Sequence, residues 1–213
     1  GHFNFYASKQ QPELLALLNK VIAAVPHTEQ QQILQRWSAG RALYMLAERI
    51  ELSQAEHRYI ERDKPVRLVH IQGDTPFLMG SKDLKQGVGI LKSLTEAISA
   101  KTGLEFEWVP VRSLTEMLQL LKEGKADLSA ILAPNAERAE FLNFTRPYLV
   151  TSYAVLTRSD SATPQLRLEQ MAGKTLAIQK NHALVPYLKA TYPDLKFKFV
   201  ENLQKSTEAV LKG

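Results

Sequence analysis

Cysteine is absent from the 213 residues. That excludes disulfides, zinc–thiolate sites and a cysteine nucleophile, and it fits a periplasmic protein without requiring one. Long apolar runs are absent too; none approaches the ~20 residues that span a bilayer. The amino end, GHFNFYASKQ, lacks the charged and apolar regions of a secretory leader. Such a chain is cytosolic, a mature product, or a piece of something larger. Blocks of like charge are missing as well. The 27 basic and 22 acidic residues are interspersed, so the net charge of +5 does not point to nucleic acid. The five histidines have no metal-ligand spacing. Gly87-Val88-Gly89 lacks the third glycine of a dinucleotide loop and follows a loop. No nucleophile, base and orienter can be assembled. The expectation is a non-enzymatic chain with no cofactor and no metal.

What is present is ordinary globular material, 45% apolar and 23% charged, enough for one or two small domains. Residues 1–40 read as a short strand or coil and two helices. Pro12 opens the first, whose apolar face is Leu14, Leu15, Leu18, Val21, Ile22 and Val25. Thr28 and Gln31 form a capping box for the second, with Ile33, Leu34 and Trp37 inward. Residues 41–65 read as a charged, solvated helical linker, with a second capping box at Ser53 and Glu56 and a break at Lys64-Pro65.

From Val66 onward, strands and helices alternate. Strands are expected over Arg67 to Ile71, Leu104 to Trp108, Leu128 to Leu132, Tyr153 to Thr157, Thr175 to Gln179 and Lys196 to Val200. Helices are expected over Gly87 to Thr102, from Ser113 to Gly124, and over Leu166 to Met171, Leu184 to Thr191 and Ser206 to Leu211. This order implies an α/β fold with a mostly parallel sheet covered on its faces. The polar break from Ser159 to Thr163 divides it into two lobes. The pattern stops after a helix, where a parallel sheet would next want a strand. The second lobe is therefore expected to be incomplete.

The segment GKADLSAILAPNAERAEFLNFTRPY, Gly124 to Tyr148, is the most informative. A strand that delivers an arginine just past its carboxyl end is how α/β domains build carboxylate sites. Arg138 is that arginine. The alternative is an exposed arginine paired with Glu137 or Glu140.

Residues 66–213 resemble the first two-thirds of a family 3 solute-binding, or Venus-flytrap, domain. The resemblance rests on the turn Gly73 to Phe77, on Gln86-Gly87-Val88-Gly89-Ile90 and on Leu120 to Asp127. It continues through Glu137-Arg138, Phe144 to Tyr148 and Leu168 to Ile178. Residues 3–37 resemble the closing strand and helices of such a domain. Leu52 to Ile60 is similar to the segment that precedes each flytrap in BvgS/EvgS-type sensor histidine kinases.

The resemblance implies a type II periplasmic binding protein-like fold of two lobes, in tandem. Residues 1–40 would close a preceding flytrap, 41–65 would be the linker, 66–157 lobe one of a second flytrap, and 158–213 part of its lobe two. It implies a periplasmic sensing region of an inner-membrane kinase that binds a small solute between the lobes. Adjacent flytraps and a homodimer would be its protein partners. The rival readings are an importer's solute-binding protein for amino acids or related small anions, and a domain attached to an enzyme.

In the amino-acid-binding members the arginine at position 138 clamps the ligand carboxylate. Asp74 stands where an aromatic is usual, Asn135 where Thr or Ser is usual, and Asn181-His182-Ala183 where Gly-Thr-Thr is usual. These departures leave the ligand class open. Phe77, Asn135, Asn181, Asp74 and His182 join Arg138 as candidate contacts. A turn-forming aspartate and a solvated loop histidine are the plainer readings of Asp74 and His182. A histidine in the cleft would make binding depend on pH. Residues 1–40 are also expected to pack on lobe one, as a flytrap's own tail would.

Overall fold

Strand β2 (Val66–Ile71) runs parallel to β3 (Phe106–Val111), with Val66 opposite Phe106 and Ile71 opposite Val111. On its other side lies β4 (Leu128–Leu132), also parallel and buried along its whole length. Such runs suit a sheet covered on both faces. The computed structural model that shows this describes residues 2–26, 28–30, 33, 50–62, 64–73, 77–78, 88–150, 152–160 and 167–212.

Two cores sandwich this sheet. On one face, Val66, Leu68, Leu128 and Ala130 meet Leu91, Leu94 and Ile98 of helix α3 (Ile90–Thr102). The helix stops at Gly103, which takes the left-handed conformation (φ 79°). On the other face, Val69, Ile71 and Leu132 meet Leu114, Met117 and Leu121 of helix α4 (Leu114–Lys122). Ser113 caps α4 by accepting the Glu116 amide at 3.2 Å.

The amino-terminal segment enters the middle of this sheet. Strand β1 (His2–Ser8) lies antiparallel between β4 and β5 (Leu142–Phe144), and its start also pairs with β6 (Leu149–Val150). The sheet order is β3-β2-β4-β1-β5. Helix α1 (Pro12–Ala24) then lays Leu14, Leu17, Leu18, Val21 and Ile22 on the core it shares with α3. Asp127 ties these pieces together. Its carboxylate accepts from the Arg67 amide, from Arg67 Nε and Nη2, and from Gln11 Nε2, all at 2.8–3.1 Å. Burial opposes its charge, but the Arg67 hydrogen bonds outweigh that and hold its pKa below the usual value.

Helix α2 (Gln54–Ile60) begins at the expected Ser53–Glu56 capping box. It is not solvated. Glu56 is buried and accepts from Lys20 Nζ at 2.7 Å, and Tyr59 is buried with its hydroxyl donating to Gln11 at 2.6 Å. Glu56 finds its partner on α1, which the pattern of charges did not reveal. Residues 28–30 and 33 are helical, and the rest of that expected helix, with Leu34 and Trp37, lies outside the described residues.

The second lobe is smaller. Its parallel pair is β7 (Thr175–Gln179) and β8 (Lys196–Val200), in register from Thr175 opposite Lys196. With it go a 3₁₀ turn at Leu168–Gln170, helix α6 (Val185–Thr191) and helix α7 (Leu203–Lys212). Helix α5 (Ala136–Ala139) belongs to lobe one. No residue of α7 is buried, and Leu211 is 71% exposed, as a lobe represented only in part would show. The expected strand at Tyr153 to Thr157 is absent from the described residues; residues 152–158 carry no regular structure. Among the described residues its apolar alternation has no strand paired with it.

Gly89 has φ +146°, and a Cβ there would sit 2.4 Å from the Phe77 carbonyl oxygen, which accepts the Leu91 amide. Gly124 has φ +67° with nothing within 4 Å. Urea unfolding should therefore show Gly124→Ala costing about 1 kcal/mol, for the left-handed backbone alone. Gly89→Ala should cost at least ~2 kcal/mol more, from backbone overlap. Equal costs would contradict the tight approach at Phe77.

Candidate functional site: the Arg138 centre between the lobes

Strand β4 ends at Leu132, and Ala133-Pro134 turns the chain into α5. Asn135 is the N-cap; its Oδ1 accepts the Arg138 amide at 2.9 Å. This fixes Arg138 on the one turn of α5 and aims its guanidinium back toward the end of the sheet. Arg138 is only 3% exposed. Nη1 donates to the Ala133 carbonyl at 2.5 Å, and Nη2 donates to the Asn181 carbonyl at 2.8 Å. Among the described residues it forms no ion pair. The guanidinium therefore bridges the lobes through carbonyl oxygens, with the Glu137 carboxylate acting on its charge from beyond ion-pair distance.

The lobe-two side of this bridge is the turn after β7. Asn181 has φ 65°, a left-handed conformation that asparagine tolerates better than most residues. Its Nδ2 donates to Thr115 Oγ1, in the first turn of α4, at 3.2 Å. One asparagine thus meets lobe one twice, through its carbonyl and through its amide side chain. His182 follows. Its Nδ1 accepts the Leu184 amide at 3.3 Å, which assigns the proton to Nε2. Its ring meets that of Tyr153 edge-on at 5.5 Å. Burial, then the nearby Arg138 charge, push the imidazole down to about 4.

Two hydroxyls complete the surroundings. Tyr6, from β1, is fully buried and its hydroxyl has no hydrogen-bond partner among the described residues. Burial raises its pKa, and Arg138 pulls it down part of the way. Tyr153, on the crossover, behaves alike: burial raises it and Arg138 opposes. Both remain neutral near pH 7, so the centre carries a single positive charge.

The candidate residues divide. Arg138, Asn181 and His182 come together. Asn135 lies beside them but serves as the N-cap. The half-buried Phe77 ring packs against the main core, and its carbonyl receives the start of α3. Asp74 lies outside the described residues. Sequence reading missed Tyr6, Thr115 and Tyr153. Thr115 carried a signal, two residues past a capping serine at the sheet's carboxyl end. Tyr6 carried none, because β1's position in the sheet is not local information.

The profile of the bacterial extracellular solute-binding proteins, family 3, matches residues 67–211. The chain belongs to that family. Solved structures agree: the Bordetella pertussis BvgS periplasmic domain is matched over 96% of this chain and 39% of that one, with 28% identity and a TM-score of 0.71. The BvgS VFT2 domain is matched over 76% of this chain and 68% of that one, at 28% identity and a TM-score of 0.67. The fold is thus the Venus-flytrap fold, present here as a partial domain.

Among sequences, the virulence sensor protein BvgS of Bordetella bronchiseptica is 29% identical over 99% of the chain. The sensor protein EvgS of Escherichia coli K12 is 20% identical, also over 99%. The chain spans 17% of the length of each. No described helix of this family 3 chain is long and apolar enough to cross a membrane.

His182 gives the centre a pH signature. The folded imidazole stays neutral down to about pH 4, whereas an unfolded one protonates near 6.5. Its share of stability is whole above 6.5 and is lost as pH falls from 6.5 through 4. His70, also depressed by burial, adds a loss of the same sign. Comparison with His182→Asn isolates the first. Between pH 7 and 4.5 the variant should lose about 2 kcal/mol less than the native chain in urea unfolding. Identical losses would place His182 in solvent.

Proposed function

We propose that this chain is part of the periplasmic ligand-sensing region of a two-component sensor histidine kinase. It would bind a small solute between its lobes and signal by shifting the open–closed population. The observation that carries this reading is where the similarity lies. The family profile begins at residue 67, yet the likeness to BvgS and EvgS runs through residues 1–66 as well. The similarity to these sensors thus extends beyond the profile, over the upstream strand and helices. On this reading residues 1–40 derive from a preceding flytrap, 41–65 are the linker, 66–157 are lobe one and 158–213 are part of lobe two. The neighbouring flytrap of the same chain is the first protein partner, and a homodimer the second.

Arg138 sets the ligand class. A buried guanidinium that forms no ion pair among the described residues favours a small anion, a carboxylate of an amino acid or a related acid. Such a ligand would take Nη2 from the Asn181 carbonyl, so it must outbid an existing contact. Tyr6, Tyr153 and His182 are neutral groups that would orient the rest of it. The importer reading has its own support: a probable histidine-binding protein of Campylobacter jejuni is 32% identical, but over 43% of this chain. The longer match favours the sensor.

A thermal-shift screen of small carboxylates against the native chain tests this. A ligand that raises the melting temperature should bind Arg138→Lys about 10–100-fold more weakly, because lysine keeps the charge and loses the fork. Asn135→Asp should retain binding, since an aspartate also caps α5. Unchanged affinity in Arg138→Lys would remove Arg138 from the ligand site.

A further inference from the structure

Two edges of the molecule carry matching patterns. Strand β3 ends one side of the lobe-one sheet and β8 ends one side of the lobe-two sheet. Among the described residues neither has a strand on its outer side. At β3 the sequence reads Glu105-Phe106-Glu107-Trp108, and along β8 it reads Lys196-Phe197-Lys198-Phe199. Both alternate a charge with an aromatic ring, and the charges are of opposite sign. All four charged side chains are exposed. None of them forms an ion pair among the described residues. Glu107 lies opposite Arg67, whose guanidinium is engaged with Asp127. The Phe197 and Phe199 rings stack at 5.9 Å, and Phe199 is 46% exposed, which leaves ring surface for a partner.

Bonds at the strand ends set the backbone phase. The Val66 amide donates to the Glu105 carbonyl at 2.8 Å, and the Gln72 amide donates to the Val111 carbonyl at 2.9 Å. Glu105, Glu107, Val109 and Val111 therefore turn their backbone groups to β2, and Phe106 and Trp108 turn theirs outward. On β8 the Val200 carbonyl accepts the Lys180 amide at 3.0 Å, and the Lys196 amide donates to the Lys174 carbonyl at 2.9 Å. Lys196, Lys198 and Val200 thus face β7, and Phe197 and Phe199 present their amides and carbonyls to the open edge.

These two edges fit in one direction. Antiparallel, Phe106 pairs with Phe199 and Trp108 with Phe197, each pair exchanging both backbone hydrogen bonds. Glu107 then stands directly opposite Lys198, at the close spacing of ~4.5 Å between Cα atoms, and ring meets ring on the other face. A parallel pairing would set Phe106 beside Lys198 and lose both matches. Pro110 stops the pairing at Val109. Edge lysines ordinarily repel another strand. Here they repel a second β8, whose Lys198 would face Lys198, and they attract a strand with glutamate between its aromatics.

We propose that β3 of one copy of the chain pairs antiparallel with β8 of a second copy. The lobe-one sheet of one molecule then continues into the lobe-two sheet of the other. Within one chain the two strands lie in separate sheets, so the second copy supplies the partner. This gives the homodimer of the reading above its surface and rests on that part of the reading alone. The Arg138 centre and its ligand do not enter, so failure here leaves the thermal-shift result standing.

An edge contact this short belongs among the weak interfaces, so the test runs at high protein concentration. Sedimentation equilibrium of the native chain should show association that weakens as salt is raised. Glu107→Lys and Lys198→Glu should each weaken it about tenfold, because like charges then face each other. Mixing the two variants in equal amounts should restore it, because the reversed charges again oppose each other. The chain has no cysteine, so Glu107→Cys copies mixed with Lys198→Cys copies should form a disulfide-linked heterodimer on mild oxidation. Glu107→Cys mixed with Lys174→Cys should not. Three results would overturn the proposal: a native chain that stays monomeric throughout, association unchanged by either charge reversal, or no recovery on mixing the two.

Discussion

A guanidinium that is 3% exposed cannot be left unanswered, because an unpaired buried charge costs several kcal/mol. Arg138 is answered by two carbonyl oxygens, one from its own lobe and one from the other. That single requirement organises the cleft. It draws the turn after β7 onto lobe one and holds Asn181 in a left-handed conformation. It places His182 where burial and the neighbouring charge keep it neutral. The Asn181 amide then finds Thr115, so the closing contact has two points rather than one. Carbonyl dipoles satisfy the donors of a cation without cancelling its charge, so the same contacts that join the lobes leave the guanidinium positive.

The two sides of this bridge differ in stiffness. Lobe one carries Arg138 on a three-layer framework, with Asp127 tying β2, β4 and the start of α1. Lobe two presents Asn181 from a two-stranded parallel sheet, with Leu203, Leu211 and Phe199 exposed. Residues 152–158, which join them, have no regular structure. A rigid donor, a lighter acceptor and an irregular joint are the physical parts of a hinge. On the proposed reading, a solute that meets Arg138 differently in the open and closed arrangements would change their populations.

Local rules were legible in the sequence. The alternation from Val66 onward gave the α/β lobe. Ser53–Glu56, Ser113 and Gly103 marked helix ends that the structure has. Arg138 stood out because an arginine just past a buried strand has few bland uses. What was not legible was long-range. The partners of β1 lie more than a hundred residues away, so neither its pairing nor Tyr6's place beside Arg138 could be read locally. Glu56 of α2 looked solvated because Lys20, which answers it, belongs to another helix. Tyr153 to Thr157 alternates like a strand, and only tertiary structure shows that no partner adjoins it. Asn135, singled out by position as a ligand contact, also caps α5 through its Oδ1.

The absence of cysteine makes the central claim directly measurable. Gln119 on α4 and Lys189 on α6 are exposed, and Gln119→Cys with Lys189→Cys gives two clean spin-label sites, one per lobe. Pulsed electron–electron resonance on the ligand-free chain should give one narrow distance distribution, the closed arrangement held by Arg138 and Asn181. Adding Arg138→Ala should broaden it toward longer distances. A broad distribution in the ligand-free native chain, unchanged by Arg138→Ala, would contradict the account.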